Sequence, residues 1–101
     1  MTAPPEVIII GAGVGGLTAA RELSTAGARV LVSEPAVARR ELALRLGADR
    51  AIDPTSESLA DAVAAFTDGQ GVQTAFETAG HSAPLEVRPE RRLTVGRGHG
   101  R

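Results

Sequence analysis

The run Glu6-Val-Ile-Ile-Ile10, followed by the glycine-rich stretch Gly11-Ala-Gly-Val-Gly-Gly16, decides the fold of this chain of 101 residues. A continuous run of β-branched residues is typical of a strand buried on both faces of a parallel sheet. The glycines interrupt the strand, and residues Val14 to Ala26 then have the apolar spacing of a helix. Gly27 is placed to end that helix. The stretch therefore predicts a strand, a tight turn and a helix.

Strand and helix patterns alternate along the rest of the chain. Further strands are predicted at Arg29–Ser33, Ala51–Asp53, Val72–Phe76 and Leu93–Val95, and further helices over residues 36–46, from Glu57 to Phe66 and from about Ser82 to before Pro89. This alternation predicts βαβ units with right-handed crossovers. We expect an α/β fold, a Rossmann-like open parallel sheet in the order 3-2-1-4-5 with helices on both faces and an incomplete second half.

The chemistry lies in the spacing Gly11-x-Gly13-x-x-Gly16 between a strand and a helix, with an acid, Glu34, after the next strand. In such a motif the first glycine permits a tight turn, the second lets the backbone approach a pyrophosphate, and the third lets helix and strand pack closely. The helix N-terminus favours the anion, and the acid can accept hydrogen bonds from ribose hydroxyls. We predict a dinucleotide site that comprises Gly11, Gly13, Val14, Gly15, Gly16 and Glu34. The alternative is a plain turn, with Glu34 a solvated carboxylate ahead of a helix.

The composition is that of one globular domain, with 43% apolar and 23% charged residues. We expect an N-terminal tail over residues 1–5, a dinucleotide-binding Rossmann domain over residues 6–96 and a flexible C-terminal tail over residues 97–101. Only Phe66 and Phe76 are aromatic, so the core is predicted to be aliphatic.

A series of short segments points to one family. They are Gly27-Ala-Arg-Val30, Ser33-Glu-Pro35, Arg39-Arg-Glu-Leu-Ala43, Leu46-Gly-Ala-Asp49, Ile52-Asp-Pro54, Asp68-Gly69 and Phe76-Glu-Thr-Ala-Gly80. In this series the chain resembles the nucleotide-binding domain of the medium-chain, zinc-type alcohol dehydrogenases and their threonine and polyol dehydrogenase relatives. The resemblance covers most of residues 7–86.

The resemblance implies an oxidoreductase domain that binds NAD, or alternatively NADP, in extended form. It places Glu34 on the adenosine ribose, Arg39 close to that sugar or the phosphates, and Thr78 and Ala79 on the nicotinamide side. Glu34 favours NAD, because its carboxylate would repel a 2′-phosphate. The alternatives are a solvated helix face for Arg39 and its neighbour Arg40, and an ordinary strand-to-helix corner for Thr78 and Ala79.

By comparison with the family pattern, we expect this chain to lack the catalytic domain that normally supplies the zinc ligands and the substrate pocket. The chain contains no Cys, so we predict no catalytic residue and no metal ligand in it. Hydride transfer would need a catalytic domain from a separate chain, and a homo-oligomer is the other possible partner. A non-catalytic remnant or interaction module is the alternative. Gly15 also stands where the family usually carries a bulky residue against the cofactor.

A flavin-binding function is the second hypothesis. The segment from Val7 to Leu23 is equally similar to the start of flavin-dependent monooxygenases and amine oxidases, which bind FAD with the same glycine loop and acid. After Glu34, however, these flavoproteins usually continue into a paired-glycine motif with Arg, whereas this chain has a charged helix that ends at Leu46-Gly47. The sequence therefore favours NAD(P) over FAD.

The charge is unevenly distributed, since residues 88–101 contain five Arg and one Glu in a chain of net charge −1. Without aromatic residues to stack on bases, this end is interpreted as solvated, and nucleic acid is not an expected partner. His81 and His99 have no further ligand at a metal-binding spacing. No apolar run reaches the roughly 18 residues of a membrane span. We expect a soluble, cytoplasmic protein without a membrane partner.

Overall fold

The computed structural model describes residues 3–72 and 74–78, which form four strands and three helices. In chain order the elements are β1 (Glu6–Ile10), α1 (Val14–Thr25), β2 (Arg29–Ser33), α2 (Val37–Arg45), β3 (Arg50–Ile52), α3 (Leu59–Phe66) and β4 (Thr74–Glu77). The strands form one parallel sheet in the order β3-β2-β1-β4. This confirms the α/β Rossmann-like fold and the order of the first four predicted strands. The predicted fifth strand, the helix from Ser82 and the C-terminal tail lie outside the described residues.

β1 is an inner strand that pairs with β2 on one edge and with β4 on the other. In its register Ile8 lies beside Leu31 of β2 on one edge and beside Ala75 of β4 on the other. Because both edges are paired, the backbone N–H and C=O groups of β1 find partners within the sheet, as a buried strand requires. The sequence prediction of a central parallel strand is confirmed.

The alternation of side chains along the strands builds a core on each face of the sheet. On one face, Val7, Ile9, Val30 and Val32 pack with Ala19, Ala20, Ala43, Ala48 and Phe76. On the other face, Ile8, Leu31 and Ile52 pack with Ala62, Val63, Phe66 and Val72. Each fully buried Val, Leu or Ile side chain contributes about 1.5–3 kcal/mol relative to exposure. The predicted aliphatic core is confirmed.

Local hydrogen bonds move some element ends from their predicted positions. α3 begins at Leu59 rather than at Glu57, because Ser58 is its N-cap and accepts a hydrogen bond from the Asp61 amide at 3.1 Å. β3 ends at Ile52 because the Asp53 carboxylate accepts from the Thr55 amide at 2.9 Å, which turns the chain. β4 runs over Thr74–Glu77, later than the predicted Val72–Phe76. The predicted stops after α1 and α2 are confirmed, with Gly27 and Gly47 at φ of 100° and 121°.

The amino-terminal end of the sheet is closed by Arg29 at the start of β2. Its guanidinium lies 4.1 Å from the centroid of the Phe66 ring and donates to the Phe66 carbonyl at 3.0 Å. It also forms an ion pair with Glu6 at the start of β1. These contacts tie β1, β2 and the end of α3 together at the edge opposite the glycine loop.

The helices of the described residues also bear on the membrane prediction. Across residues 3–72 and 74–78, none of them has the length and apolar character that a membrane crossing requires.

Helix α1 approaches the sheet closely because small residues face it. Gly16, Ala19 and Ala20 are its buried residues. A Cβ built on Gly16 would overlap the carbonyl oxygen of Gly11 and lie 3.0 Å from the hydroxyl oxygen of Thr78. A Cβ built on Gly15 would have no described atom within 4 Å. Two adjacent glycines of one helical turn therefore meet opposite steric conditions.

Alanine substitutions at these two glycines should change stability in opposite directions. Gly15→Ala is expected to raise the free energy of unfolding by about 0.5–1 kcal/mol, because alanine is the better helix former and the site is open. Gly16→Ala is expected to lower it by about 1–3 kcal/mol, because the methyl group must displace the loop backbone. Urea unfolding followed by circular dichroism measures both values. Equal effects at the two positions would contradict the close approach of α1 to the loop.

Candidate functional site

The predicted site residues lie where the parallel strands end. Gly11 follows β1, Glu34 follows β2 and Thr78 follows β4, and Asp53, which was not among the predicted site residues, follows β3. Since parallel strands run in one direction, their carboxyl ends share one edge of the sheet, and ligands of open α/β folds bind at that edge. The structure therefore brings the glycine loop, the acid and Thr78 together.

The glycine loop forms the turn from β1 into α1. Gly11 has a φ of 101° and donates its amide to the Ser33 carbonyl at 2.8 Å. Gly13 is the N-cap of α1, with an extended backbone and no side-chain hydrogen bond to the helix. No acidic side chain lies in the first turn of α1. The positive end of this helix dipole thus has no compensating side chain in its cap or first turn, which suits an anionic ligand.

The outer surface of the loop is open. Cβ atoms built on Gly13 and Gly15 would meet no described atom within 4 Å beyond their own neighbours in the chain and the helix. The side chain of Val14 between them is 85% exposed. Along this stretch a ligand can reach the backbone without displacing a described side chain.

Glu34 is buried, with only 4% of its surface exposed. One carboxylate oxygen accepts from the Ala12 amide of the glycine loop at 2.7 Å, and the other accepts from the Ala36 amide at 2.8 Å. Hydrogen bonds from backbone amides to a carboxylate are charge-assisted and offset part of its desolvation. Glu34 is therefore not a solvated carboxylate ahead of a helix; it joins the turn after β2 to the turn after β1.

The neighbouring arginines of α2 occupy different environments. Arg39 is exposed and has no hydrogen bond or ion pair with the described residues. Arg40 is half-buried, and one guanidinium nitrogen donates to the carbonyl oxygens of Glu34 and Pro35, each at 2.9 Å. The solvated-face interpretation thus describes the position of Arg39 but is wrong for Arg40.

Asp53 faces Arg40 from the end of β3. The nearest nitrogen and oxygen of the two side chains are 3.8 Å apart. The Thr55 hydroxyl and amide donate to Asp53 at 2.7 and 2.9 Å and hold its carboxyl pKa below the ordinary value, and Arg40 lowers that pKa further. Asp53 therefore remains ionised opposite Arg40 at neutral pH.

Thr78 connects β4 to the glycine loop. Its amide donates to the Ile10 carbonyl at 2.8 Å. Its hydroxyl oxygen lies 2.9 Å from the Gly11 carbonyl and 3.1 Å from that of Ile10, so its single proton serves one of the two at a time. The described contacts of this hydroxyl are thus with the loop backbone. Ala79 lies outside the described residues.

Comparison with known proteins assigns this arrangement to a family, because the model of the zinc-binding dehydrogenases matches residues 13–88. The chain belongs to the zinc-binding dehydrogenase family. It corresponds to the NAD(P)-binding part of these enzymes. The resemblance stated from the sequence segments is confirmed.

Individual relatives agree with this assignment. The chain is 42% identical to scyllo-inosose 3-dehydrogenase of Thermotoga maritima over 94% of its own length and 24% of the relative. It is 43% identical to L-threonine 3-dehydrogenase of Pyrococcus horikoshii over 80% of its length and 24% of that protein. A solved structure from Sinorhizobium meliloti, described as a zinc-binding dehydrogenase bound to NADP, has a TM-score of 0.70 and 33% identity over 80% of this chain and 25% of that one. The chain thus spans about a quarter of the length of these dehydrogenases.

The described residues contain no set of ligands for the zinc ion after which the family is named. Over residues 3–72 and 74–78 there is no group of three or more His, Cys, Asp or Glu side chains that could hold a metal ion. The whole chain contains no Cys. No step that involves zinc is therefore assigned to these residues.

Sequence reasoning left several contacts of the dehydrogenase site undetected. The amides of Ala12 and Ala36, the Arg40 guanidinium and the Asp53 carboxylate were not among the predicted site residues, yet they surround Glu34 and its turn. Asp53 had a usable signal, because it is the last residue of a predicted parallel strand and is acidic, like Glu34 directly after another. No sequence signal separated Arg39 from Arg40, since both are charged residues of one helix.

Removal of the Thr78 hydroxyl should loosen the glycine loop. Thr78→Val keeps the shape of the side chain but leaves the Gly11 carbonyl without this donor, so the free energy of unfolding should fall by about 1 kcal/mol. Thr78→Ser retains the hydroxyl and should lose less. Chemical unfolding of the two variants measures the difference. A larger loss in Thr78→Ser would show that the methyl group, and not the hydrogen bond, matters at this position.

Proposed function

We propose that this chain binds NAD in preference to NADP, as the dinucleotide-binding part of a zinc-type alcohol or polyol dehydrogenase. The observation that carries the preference is the position of Glu34, whose buried carboxylate bonds to the glycine loop. When bound, the nicotinamide ring supplies hydride transfer. The residues described in this chain bind and orient the dinucleotide.

The glycine loop is the proposed binding site of the cofactor's pyrophosphate. The uncapped first turn of α1 offers backbone N–H groups and the positive end of the helix dipole. The open space above Gly13 lets an anion approach these groups, as a dinucleotide must. Gly11, Gly13, Val14, Gly15 and Gly16 are therefore the proposed pyrophosphate-binding residues.

Glu34 is the proposed partner of the adenosine ribose. A carboxylate has about four lone-pair positions, and backbone amides occupy one on each oxygen. We propose that the remaining positions accept from the ribose hydroxyls at the small part of Glu34 that is exposed. A 2′-phosphate in place of the 2′-hydroxyl would bring like charges together, and two unit charges at 4 Å repel by about 4 kcal/mol at an effective dielectric constant near 20. This repulsion supports NAD as the preferred cofactor.

Arg39 is the proposed cation beside the cofactor's sugar or phosphates. Its exposed guanidinium is uncommitted among the described residues, whereas that of Arg40 is engaged. Arg39 would reduce the repulsion of a 2′-phosphate, so we expect a preference for NAD and not an exclusion of NADP. Thr78 and Ala79 are proposed to lie toward the nicotinamide side.

The reaction of the whole enzyme is proposed to be oxidoreduction of a small alcohol or polyol. The relatives' names support this substrate class. A catalytic domain outside the residues of this sequence would supply the chemistry. The family assignment supports a nicotinamide dinucleotide over FAD.

Gly13→Val is expected to abolish NAD binding and leave the fold intact. The backbone of Gly13 is extended, with φ −75° and ψ −164°, and its Cβ would meet no described atom, so the protein tolerates the side chain while the pyrophosphate does not. Thermal unfolding with and without NAD tests this, because a ligand at about 100 times its Kd stabilises the folded state by about 2.7 kcal/mol. A variant that folds and retains the parent's NAD-induced shift would move the binding site away from the loop.

Glu34→Ser is expected to weaken NAD and strengthen NADP. In the parent, Kd should be at least about tenfold higher for NADP than for NAD, which corresponds to about 1.4 kcal/mol. In the variant the ratio should approach or fall below one. Titration calorimetry with NAD, NADP, ADP-ribose and FAD measures the constants. Glu41→Ser removes an exposed carboxylate from α2 as a matched control and should keep the parent's ratio; an unchanged ratio in Glu34→Ser would reject Glu34 as the ribose-binding acid.

A further inference from the structure

We infer that Arg40 is a positioning residue for Glu34 and thereby sets the discrimination between NAD and NADP. This inference rests on the proposed function, in which Glu34 contacts the ribose. Arg40 needs no contact with the cofactor in this role. Its effect passes through the backbone of the turn that follows β2.

The peptide group between Pro35 and Ala36 is held at both ends. Its carbonyl oxygen accepts from the Arg40 guanidinium at 2.9 Å, and its N–H donates to the Glu34 carboxylate at 2.8 Å. Because a peptide group is planar, fixing the direction of the carbonyl also fixes the direction of the N–H. Arg40 therefore determines where the Ala36 amide points, and that amide orients one carboxylate oxygen of Glu34.

Arg40 also holds the backbone of Glu34 itself. The same guanidinium nitrogen donates to the Glu34 carbonyl at 2.9 Å. The acid is thus held by Arg40 through its main chain and by Ala12 and Ala36 through its carboxylate. Hydrogen bonds that involve a charged group are stronger than neutral ones, so this arrangement resists rotation of the turn.

Asp53 keeps Arg40 in place. The Arg40 side chain is 20% exposed and that of Asp53 is 28% exposed, so the pair is only partly screened by solvent. The Asp53 carboxylate is itself immobilised by the Thr55 amide and hydroxyl. The ion pair therefore anchors the guanidinium from β3, while the guanidinium holds the turn that follows β2.

A direct electrostatic role for Arg40 predicts the opposite result from a positioning role. If Arg40 acted as a cation on a 2′-phosphate, its removal would weaken NADP most, and the ratio of the NADP Kd to the NAD Kd would rise. If Arg40 positions Glu34, its removal disorders the Glu34 carboxylate. NAD then loses a hydrogen bond to its ribose and binds more weakly, while NADP escapes the repulsion of its 2′-phosphate and binds more tightly. The ratio would then fall. The sign of the change separates the two roles.

The test measures NAD and NADP binding by titration calorimetry for the parent and for Arg40→Gln, Arg40→Lys and Arg45→Gln. Arg40→Gln should lower the ratio by roughly threefold to tenfold, the range expected from weakened hydrogen bonds to a charged group. Arg40→Lys keeps the positive charge, so its ratio of the NADP Kd to the NAD Kd should lie between those of Arg40→Gln and the parent. Arg45→Gln removes an exposed charge from the same helix and should leave the ratio unchanged.

A double-mutant cycle tests whether the effect passes through Glu34. In the Glu34→Ser background, Arg40→Gln should have almost no further effect on the ratio, because the group that it positions is gone. An equal effect in both backgrounds, an unchanged ratio or a raised ratio in Arg40→Gln would each overturn the inference.

Amide hydrogen exchange of the cofactor-free protein provides a readout that does not depend on binding. Arg40→Gln should accelerate exchange of the Ala36 amide, while Arg45→Gln should not, provided that thermal unfolding shows both variants folded. If the parent binds neither dinucleotide, the proposed function fails, whereas faster Ala36 exchange would still support positioning by Arg40. Unchanged Ala36 exchange would overturn the positioning role.

Discussion

The pairing of β1 on both edges and its burial on both faces is the constraint on which the site depends. Val7, Ile8 and Ile9 are at most 5% exposed, and β2 and β4 hold the strand from either side. The carboxyl end of a strand in this position lies in the middle of the edge that the carboxyl ends of all the parallel strands share. The glycine loop therefore begins between the ends of β2 and β4, and Glu34 and Thr78 reach it from opposite sides.

The contacts around the loop separate groups that support the backbone from groups that remain open to a ligand. The Thr78 hydroxyl faces loop carbonyls, the Glu34 carboxylate faces amides, and the Arg40 guanidinium faces the carbonyls after β2. In each case donor and acceptor are complementary, so buried polar atoms have partners. By contrast, the first turn of α1 has no capping side chain, and the space above Gly13 is empty of described atoms. The binding surface is thus mainly backbone, supported from behind by side chains.

The sequence predicted the role of Glu34 but not its environment in the fold. Its place after a strand and at a set distance from Gly11 was enough to select it as the acid of the site. Its burial and its bond to Ala12 depend on how closely the turn after β2 approaches the turn after β1, and that approach follows from the register of β1 with β2. Arg39 and Arg40 show the limit more clearly, because adjacent residues of a helix differ by about 100° in direction. Only the rotation of α2 on the sheet decides which of them meets the backbone.

The sequence by itself determined the order of strands and helices, the glycine turn between the first of each, and the family to which the chain belongs. These features follow from periodicity, from β-branched runs and from glycine spacing, all of which act between residues near one another in the chain. Only the tertiary structure decided that Asp53 faces Arg40, that Thr78 bonds to the loop, and that the carboxylate of Glu34 joins two turns. Hydrogen bonds and ion pairs act over a few ångströms, so partners such as Thr78 and Gly11, far apart in the chain, meet only after strand register and helix rotation have been set.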